Sequence, residues 1–173
     1  MLSTAARLKN RFIAKIIGLF PLARHIFTAS YTPPESKDIP WTTLRKSLRD
    51  CRVAVVTTAG VHHKDQAPFN MEDRNGDPSF RAIDSTRPSS DLMITHDYYD
   101  HSDADRDINI VFPVERLREF REEQIIGGLS DIHYGFMGHI LGPHVSTLMN
   151  ETAPEVARML RREKVDIVLL TPG

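Results

Sequence analysis

Residues 165–173 read VDIVLLTPG, and this stretch decides the fold. An apolar, β-branched run bounded by Pro-Gly is typical of a strand buried in a parallel sheet. The residues just before it, from Thr152, match a capping box that opens a helix, so the strand closes an α-then-β crossover. Open α/β sheets place their ligands where such strands end. We therefore interpret the 173 residues as the N-terminal portion of a longer protein whose domain is incomplete.

A second apolar run, RVAVVTT at residues 52–58, predicts the first core strand, which ends at Gly60. If the two strands are parallel neighbours, residues 57–60 and 171–173 meet at one edge of the sheet. The predicted fold is α/β and Rossmann-like, with a mainly parallel sheet and an N-terminal amphipathic helical arm. A terminal strand without a covering helix would leave apolar surface exposed, so we also expect association through that edge.

Residues 1–40 form a separate unit, an amphipathic basic helix followed by a proline-rich linker, and residues 41–173 form the α/β domain. The arm has three interpretations: it docks on its own domain or a partner subunit, it contacts a membrane surface, or it is a targeting peptide. Within the domain the pattern further predicts a short helix at 41–48, strands near 79–83 and 92–95, and a helix opened by Pro113.

The composition is that of an ordinary globular protein, with 40% hydrophobic and 26% charged residues and a net charge of −1. Without a basic excess we expect no nucleic-acid partner, and no run reaches the ~18 apolar residues of a membrane span. The single cysteine, Cys51, excludes an internal disulfide framework within these residues. We expect a cytoplasmic protein that acts on a small molecule.

The end of the first predicted strand runs directly into VHHKDQ, residues 61–66. This places His62, His63 and Asp65 at the rim of a crevice, where they suit general acid/base work or anion binding. A solvated turn is the alternative interpretation. At the same edge, Thr57, Thr58 and Gly60 are candidates for binding substrate.

A second polar constellation, HDYYDHSDADRD, occupies residues 96–107. Its candidates for substrate binding are His96, Asp97, His101 and Asp103. The other interpretations are a structural or catalytic hydrogen-bond network, a metal site and a plain acidic loop. The spacing does not match a calcium loop, no HExxH is present, and Gly135 with Gly138 does not form a dinucleotide fingerprint. We therefore predict no metal ligand and no cofactor bound by this chain.

The sequence contains no obvious nucleophile, since no GxSxG elbow exists and Cys51 lies at the wrong end of its strand. The expected position for one is the residue after Gly173, where a thiolate or selenolate would lie over a helix N-terminus. Thr171, Pro172 and Gly173 would present it.

Five blocks of the sequence resemble the selenoprotein B family, which comprises subunits of glycine, sarcosine and betaine reductases and the related D-proline reductase subunit. The resemblance covers residues 40–173 and preserves the order of the blocks. They are TTAGVHHKDQAPF (57–69), ITHDYYDHSDADRDINIVFP (94–113), HYGFMGHI (133–140), ETAPEVARML (151–160) and VDIVLLTPG (165–173).

The resemblance implies a selenocysteine, or a cysteine in some relatives, immediately after the strand that ends in Thr-Pro-x. A gene caller reading UGA as a stop would end the product at Gly173, which is our explanation of the chain end. The implied chemistry is reductive cleavage of a C–N bond in an amino acid or N-methylated glycine, with a thiol redox protein restoring the selenolate. The resemblance also implies an oligomer with a partner subunit that carries a pyruvoyl group. The chain as given would then be inactive.

Two other functions remain open on the sequence alone. One is a non-catalytic α/β module that binds a small ligand or regulates a partner. The other is a metal-dependent hydrolase that uses the His/Asp loops.

Overall fold

The structure is a computed structural model that describes residues 4–19, 25 and 42–173. The predicted linker and Trp41 lie outside these residues. The helices are α1 (Thr4–Leu19), α2 (Val114–Glu122), α3 (Pro143–Thr147) and α4 (Ala153–Arg162). The strands are β1 (Arg52–Thr57), β2 (Val61–His63), β3 (Arg81–Asp84), β4 (Leu92–Ile94), β5 (Gly128–Leu129), β6 (Ile132–Gly135) and β7 (Ile167–Thr171).

The main sheet is built around β1. One side of β1 pairs in parallel with β7, from Val53 opposite Ile167 to Thr57 opposite Thr171. The other side pairs in parallel first with β5 and then with β6. β3 joins β6 antiparallel, and β2 and β4 form a separate antiparallel pair. The fold is therefore mixed α/β with a parallel centre and an antiparallel margin.

A histidine side chain completes the hydrogen bonding between β1 and β5/β6. The chain leaves the ladder at Ser130, whose N–H donates to Val53 O at 2.9 Å. Two residues along β1, the Val55 N–H donates instead to Nδ1 of His133 at 2.9 Å. The imidazole thus replaces a backbone carbonyl, which satisfies a buried donor that the irregular strand would otherwise leave unpaired.

The core lies on both faces of β1, because successive side chains of a strand point to opposite faces. Val53 and Val55 join a cluster with Phe112 of the segment before α2. Ala54 faces the other way and belongs to a cluster with Tyr134 and Leu160 of α4. These two clusters fix the crossover geometry that brings β7 alongside β1.

The expectation of a fully buried last strand is wrong for these residues. Val168 and Leu169 are more than a third exposed and Leu170 is 72% exposed, because no element among the described residues covers the outer edge of β7. The parallel pairing of this strand with β1 is confirmed.

Two helix predictions also need correction. α3, a wider π-type turn at Leu148–Thr152 and α4 follow one another without a break, so Thr152 is inside a helix and not at its cap. Its hydroxyl donates to Pro78 O at 2.8 Å. The short helix expected at 41–48 is reduced to a 3₁₀ turn at Leu48–Asp50, since residues 42–46 are not helical.

The open edge of β7 predicts self-association of the chain. Leu170→Lys is expected to weaken that association about tenfold or more, since burying a leucine stabilises a contact by about 1.5–3 kcal/mol and a lysine at a strand edge opposes pairing. Sedimentation velocity over a concentration series measures the effect. Met149→Lys, at another exposed apolar position, is the matched control. A wild-type chain that stays monomeric throughout would contradict the prediction.

Candidate functional site

Three strands end together at the carboxyl edge of the main sheet. The Thr58 N–H donates to Thr171 O at 3.0 Å, which continues the pairing of β1 with β7. On the opposite side of β1, the Phe136 N–H donates to Thr57 O at 2.7 Å. The predicted meeting of residues 57–60 with residues 171–173 is therefore confirmed.

Gly173 lies directly against the end of β1. A Cβ atom built on Gly173 would lie 2.3 Å from Ala59 Cα, so the two backbones are in close contact. Pro172 and Gly173 are exposed, whereas Ala59 is buried. The backbone that leaves β7 therefore passes over Ala59 at the carboxyl edge of the sheet.

The segment from Thr95 to His101 packs onto this same edge. The Thr95 N–H donates to Gly60 O at 2.9 Å, and the Tyr99 hydroxyl donates to Ala59 O at 3.1 Å. Gly60 has φ of 75° and its Cβ position would be 2.4 Å from Thr95 O, so this close approach requires glycine. The first part of the second polar constellation is thus brought to the candidate site.

His96 is a buried polar residue at this edge, with 4% of its surface exposed. Its Nδ1 accepts the Tyr98 N–H at 3.2 Å, and its ring meets the Tyr99 ring edge to face at 4.8 Å between centroids. Burial, with smaller contributions from His139 and His101, lowers the pKa of His96 to about 4. The imidazole is therefore neutral at pH 7, and because Nδ1 is an acceptor the proton is on Nε2. Among the residues that the structure describes, Nε2 finds no hydrogen-bond partner.

Asp97 connects the candidate site to the N-terminal helix. Its side chain is 6% exposed and forms an ion pair with Arg7 of α1, at 2.6 Å between Nε and Oδ2. A second bond from the same guanidinium reaches Oδ1 at 3.4 Å. The hydrogen bond to Asp97 raises the pKa of Arg7. The arm thus docks on its own domain, which was one of the interpretations of the sequence.

His62 and His63 are buried within β2 and bond to backbone and hydroxyl groups. His62 Nδ1 donates to His63 O at 2.7 Å, and its Nε2 pairs with Thr95 Oγ1 at 2.8 Å. His63 Nε2 accepts the Asp84 N–H at 2.9 Å. Burial is the largest cause that lowers the pKa of both histidines. Their predicted roles in proton transfer stay predictions.

The turn at Gly60 reverses the chain, so β2 leads away from the carboxyl edge. His63 bonds to Asp84, which pairs with Ile132 at the amino end of β6. Asp65 follows and forms an exposed ion pair with Arg87 at 3.1 Å, which lowers the pKa of Asp65. The structure therefore does not bring Asp65 to residues 171–173, since a single side chain does not span the length of β6.

His101 and Asp103 lie farther along the same loop. His101 Nδ1 is 2.8 Å from Asp105 Oδ2, and its ring packs against Tyr99 at 5.5 Å. Asp103 is exposed and pairs with Arg106 at 3.1 Å. In the described part of the chain, no group of three or more His, Cys, Asp and Glu side chains is arranged to hold a metal ion.

Gly138 is the member of this site that the sequence reasoning missed. It follows Met137, which bridges to Ala59, and it is exposed. A Cβ atom on Gly138 would lie 3.1 Å from Thr58 O, 3.4 Å from Thr58 Oγ1 and 3.6 Å from His96 Nε2. The GFMGHI segment signalled a tight approach of backbone, but only the fold shows that Gly138 makes this approach to Thr58 and His96.

None of the described helices is long and apolar enough to cross a lipid bilayer.

The chain is similar in sequence to three curated reductase subunits. It is 43% identical to the D-proline reductase subunit gamma of Acetoanaerobium sticklandii over 142 residues, which is 82% of this chain and 55% of the relative. It is 28% identical to the glycine reductase complex component B subunit gamma of Symbiobacterium thermophilum, over 84% of this chain and 34% of the relative. It is 30% identical to the subunit of the same name from Carboxydothermus hydrogenoformans, over 96% of this chain and 37% of the relative.

The chain thus spans about half the length of the first relative and about a third of the other two. No solved structure matches it, so Rossmann-like stays a prediction. A sequence profile of the family described as glycine/sarcosine/betaine reductase selenoprotein B matches residues 6–173, which is nearly the whole chain. The profile match covers the sequence blocks that border the carboxyl edge. The chain therefore belongs to the glycine/sarcosine/betaine reductase selenoprotein B family.

Proposed function

We propose that the whole protein is a reductase subunit that cleaves a C–N bond in an amino acid or N-methylated glycine. The observation that carries the proposal is the position of Gly173, which leaves β7 over Ala59 at the carboxyl edge of the sheet. A selenolate or thiolate on the next residue would lie where parallel strands present reactive groups.

In the proposed reaction the selenolate attacks the α-carbon, and the nitrogen leaves with the electron pair of the C–N bond and takes up a proton. A redox partner with two thiols then supplies the electron pair that cleaves the carbon–selenium bond: the α-carbon takes up a proton, the selenolate is regenerated, and the two thiols become a disulfide. Thr171, Pro172 and Gly173 hold the nucleophile in place. Thr57, Thr58, Gly60, His96 and Asp97 form the adjacent wall, which binds the substrate.

The more distant candidates have supporting roles in this proposal. His101 packs against Tyr99, which in turn bonds to Ala59 at the edge. His62 reaches the edge through the Thr95 hydroxyl. His63, Asp65 and Asp103 lie outside the immediate wall, and we assign them the shaping of the loops that border it.

The relatives support a multi-subunit assembly. Their names are those of gamma subunits, two of them of component B of a glycine reductase complex. We propose that this protein likewise works with a partner subunit that carries a pyruvoyl group and with a thiol redox protein, in the cytoplasm.

The proposal is tested by expressing the reading frame through the codon after Gly173, with selenocysteine or cysteine at that position. With glycine, sarcosine, betaine or D-proline, the partner subunit and dithiothreitol, we expect substrate-dependent release of the amine or of the ring-opened acid. Serine at the position after Gly173 is expected to lower the rate at least about a thousandfold, because a neutral hydroxyl is a weak nucleophile.

Cys51→Ser is the matched control for this measurement. Cys51 is buried and its thiol donates to Ser47 O at 3.1 Å, at the amino end of β1. Its replacement is expected to leave the rate unchanged. Full activity in the serine variant, or a following codon that supplies neither selenocysteine nor cysteine, would overturn the proposal.

A further inference from the structure

A cavity lined by three arginines lies at the amino edge of the main sheet. Its volume is about 420 Å³, and its walls are the turn after β3, the second half of α2 and the connection from β5 to β6. Asp84, the last residue of β3, pairs with Ile132, the first residue of β6. This arginine cavity is therefore at the opposite end of the strands from residues 171–173 and is separate from the candidate site.

The lining of the arginine cavity has a net positive charge. Its charged residues are Arg87, Arg118 and Arg121 and, in the part of the chain that the structure describes, a single carboxylate, that of Asp131. The Asp131 side chain is 76% exposed and lies 3.5 Å from the guanidinium of Arg52, which is not part of the lining. The one acid of the cavity is thus directed to solvent and to a cation of its own.

The three arginines differ in how far their charge is already offset. Arg87 forms ion pairs with Asp65 at 3.1 Å and with Asp91 at 3.2 Å, so two carboxylates surround its guanidinium. Among the described residues, neither Arg118 nor Arg121 forms an ion pair, and the Arg121 side chain forms no hydrogen bond either. The cavity therefore contains two guanidinium groups whose charge no carboxylate neutralises.

Arg118 is held in place without losing its charge. It donates to Ser85 O, and the Ser85 N–H in turn donates to Asp131 O at 2.8 Å. A carbonyl oxygen orients a guanidinium but carries no net charge, and four of the five N–H donors of Arg118 stay free for another acceptor. Arg121 follows three residues later on α2, and residues at this spacing lie on the same face of a helix. The two guanidinium groups therefore face the cavity side by side.

The chemistry of the lining fits a phosphate group attached to a small organic molecule. A guanidinium presents pairs of parallel N–H donors that match the oxygens of a phosphate, and two such groups balance the charge of a dianion. Pro88 and Leu129 add apolar surface to the same cavity. Its volume lies in the range of about 300–1,000 Å³ that is usual for small-molecule sites, which is more than a phosphate group alone fills.

We propose that the arginine cavity binds a small phosphate monoester, with the phosphate oxygens on Arg118 and Arg121 and the organic part against Pro88 and Leu129. The site lies outside the proposed reaction, since none of its residues takes part in that reaction. Binding requires neither the nucleophile nor a partner subunit, so the chain itself can be tested.

The test is a calorimetric titration of the full chain with phenyl phosphate at about pH 7.5, where the phosphate is a dianion, and at constant ionic strength. We expect saturable binding with a Kd of about 1 mM or lower. Phenyl sulfate has nearly the same shape but one negative charge fewer, and we expect it to bind about tenfold more weakly. Inorganic phosphate should also bind more weakly, because it does not reach the apolar wall. No saturable binding of phenyl phosphate, or equal affinity for either comparison compound, would overturn the assignment.

Arg118→Gln and Arg121→Gln are the decisive variants, and each is expected to weaken phenyl phosphate binding about tenfold. The glutamine amide at position 118 can still donate to Ser85 O, and Arg121 is exposed, so both variants should keep the fold, which circular dichroism checks. The matched control is Arg116→Gln, because Arg116 is on the same helix but pairs with Glu119 at 2.9 Å and does not line the cavity. An equal loss in Arg116→Gln would show a general attraction of anions to α2 and would overturn the site.

The outcome for this site is separable from the outcome for catalysis. An active reductase that binds no phenyl phosphate would overturn the arginine cavity as a binding site and leave the proposed reaction intact. Saturable binding that both arginine variants weaken would support the site even in a protein that releases no amine.

Discussion

Lowering the pH from about 7.5 to about 5 is expected to remove at least about 4 kcal/mol from the free energy of unfolding of this chain. The main cause is a pair of deeply buried neutral histidines, His96 and His133, whose pKa values burial lowers to about 4. The unfolded chain binds more protons than the folded chain between that value and about 6.5. The stabilisation is therefore complete above about pH 6.5 and is lost as the pH falls, by about 2 kcal/mol for each group at pH 5. Burial also lowers the pKa of His62 and His63, which adds to the loss in the same direction.

Urea unfolding at several pH values between about 7.5 and 5 measures this loss. Each of the variants His96→Asn and His133→Asn is expected to reduce the loss by about 2 kcal/mol, since the amide oxygen replaces Nδ1 as acceptor but does not titrate in this range. Carboxylates with lowered pKa values, such as Asp77, contribute mainly below this window. A free energy of unfolding that stays constant down to pH 5 would show that these rings are not buried as neutral acceptors.

Arg7→Ala is expected to lower the free energy of unfolding by about 2 kcal/mol. The value lies between those for exposed and buried ion pairs, because Asp97 is 6% exposed whereas Arg7 is 43% exposed. The substitution leaves the Asp97 carboxylate buried without its cation, and it removes the bond that holds α1 on the loop at His96. Proteolytic cleavage within α1 should accelerate together with the loss of stability.

A double-mutant cycle with Asp97→Asn distinguishes pairing from packing. The double variant is expected to be more stable than the sum of the single losses predicts, because neither partner then has an unpaired charge. Arg11→Ala, on the same helix, is the matched control and is expected to change stability by less than about 0.5 kcal/mol. Equal losses for Arg7→Ala and Arg11→Ala would contradict a specific docking contact.

The sequence predicted the centre of this fold because two patterns there are strong. The apolar runs of β1 and β7 are short, β-branched and bounded by turn residues, so their existence and parallel pairing could be inferred. The helix after Pro113 was likewise confirmed as α2. The burial of β7 was not predictable, since a strand's own residues do not determine whether another element covers its outer edge.

The candidate site was predictable only in part, for a topological reason. Thr58 and His96 were selected from the sequence, and the structure brings them to one point. Asp65 was selected because it follows a strand closely, but the positive φ at Gly60 sends that segment back along the sheet. Gly138 was missed because the reason for a glycine is the set of atoms that a side chain there would meet. These atoms belong to Thr58 and His96, which lie about 40 to 80 positions earlier in the chain.

The wide turn at Leu148–Thr152 has a consequence for how the long helical segment meets the rest of the molecule. A π-type turn inserts one residue, which rotates everything beyond it by about 100° around the helix axis. At the near end His144 reaches Asp73 at 2.9 Å, and at the far end Leu160 packs on the cluster that contains Tyr134. In a uniform α-helix, His144 and Leu160 would point in a different relative direction around the axis. Deleting one residue from this turn would therefore break one of the two contacts whenever the other was kept.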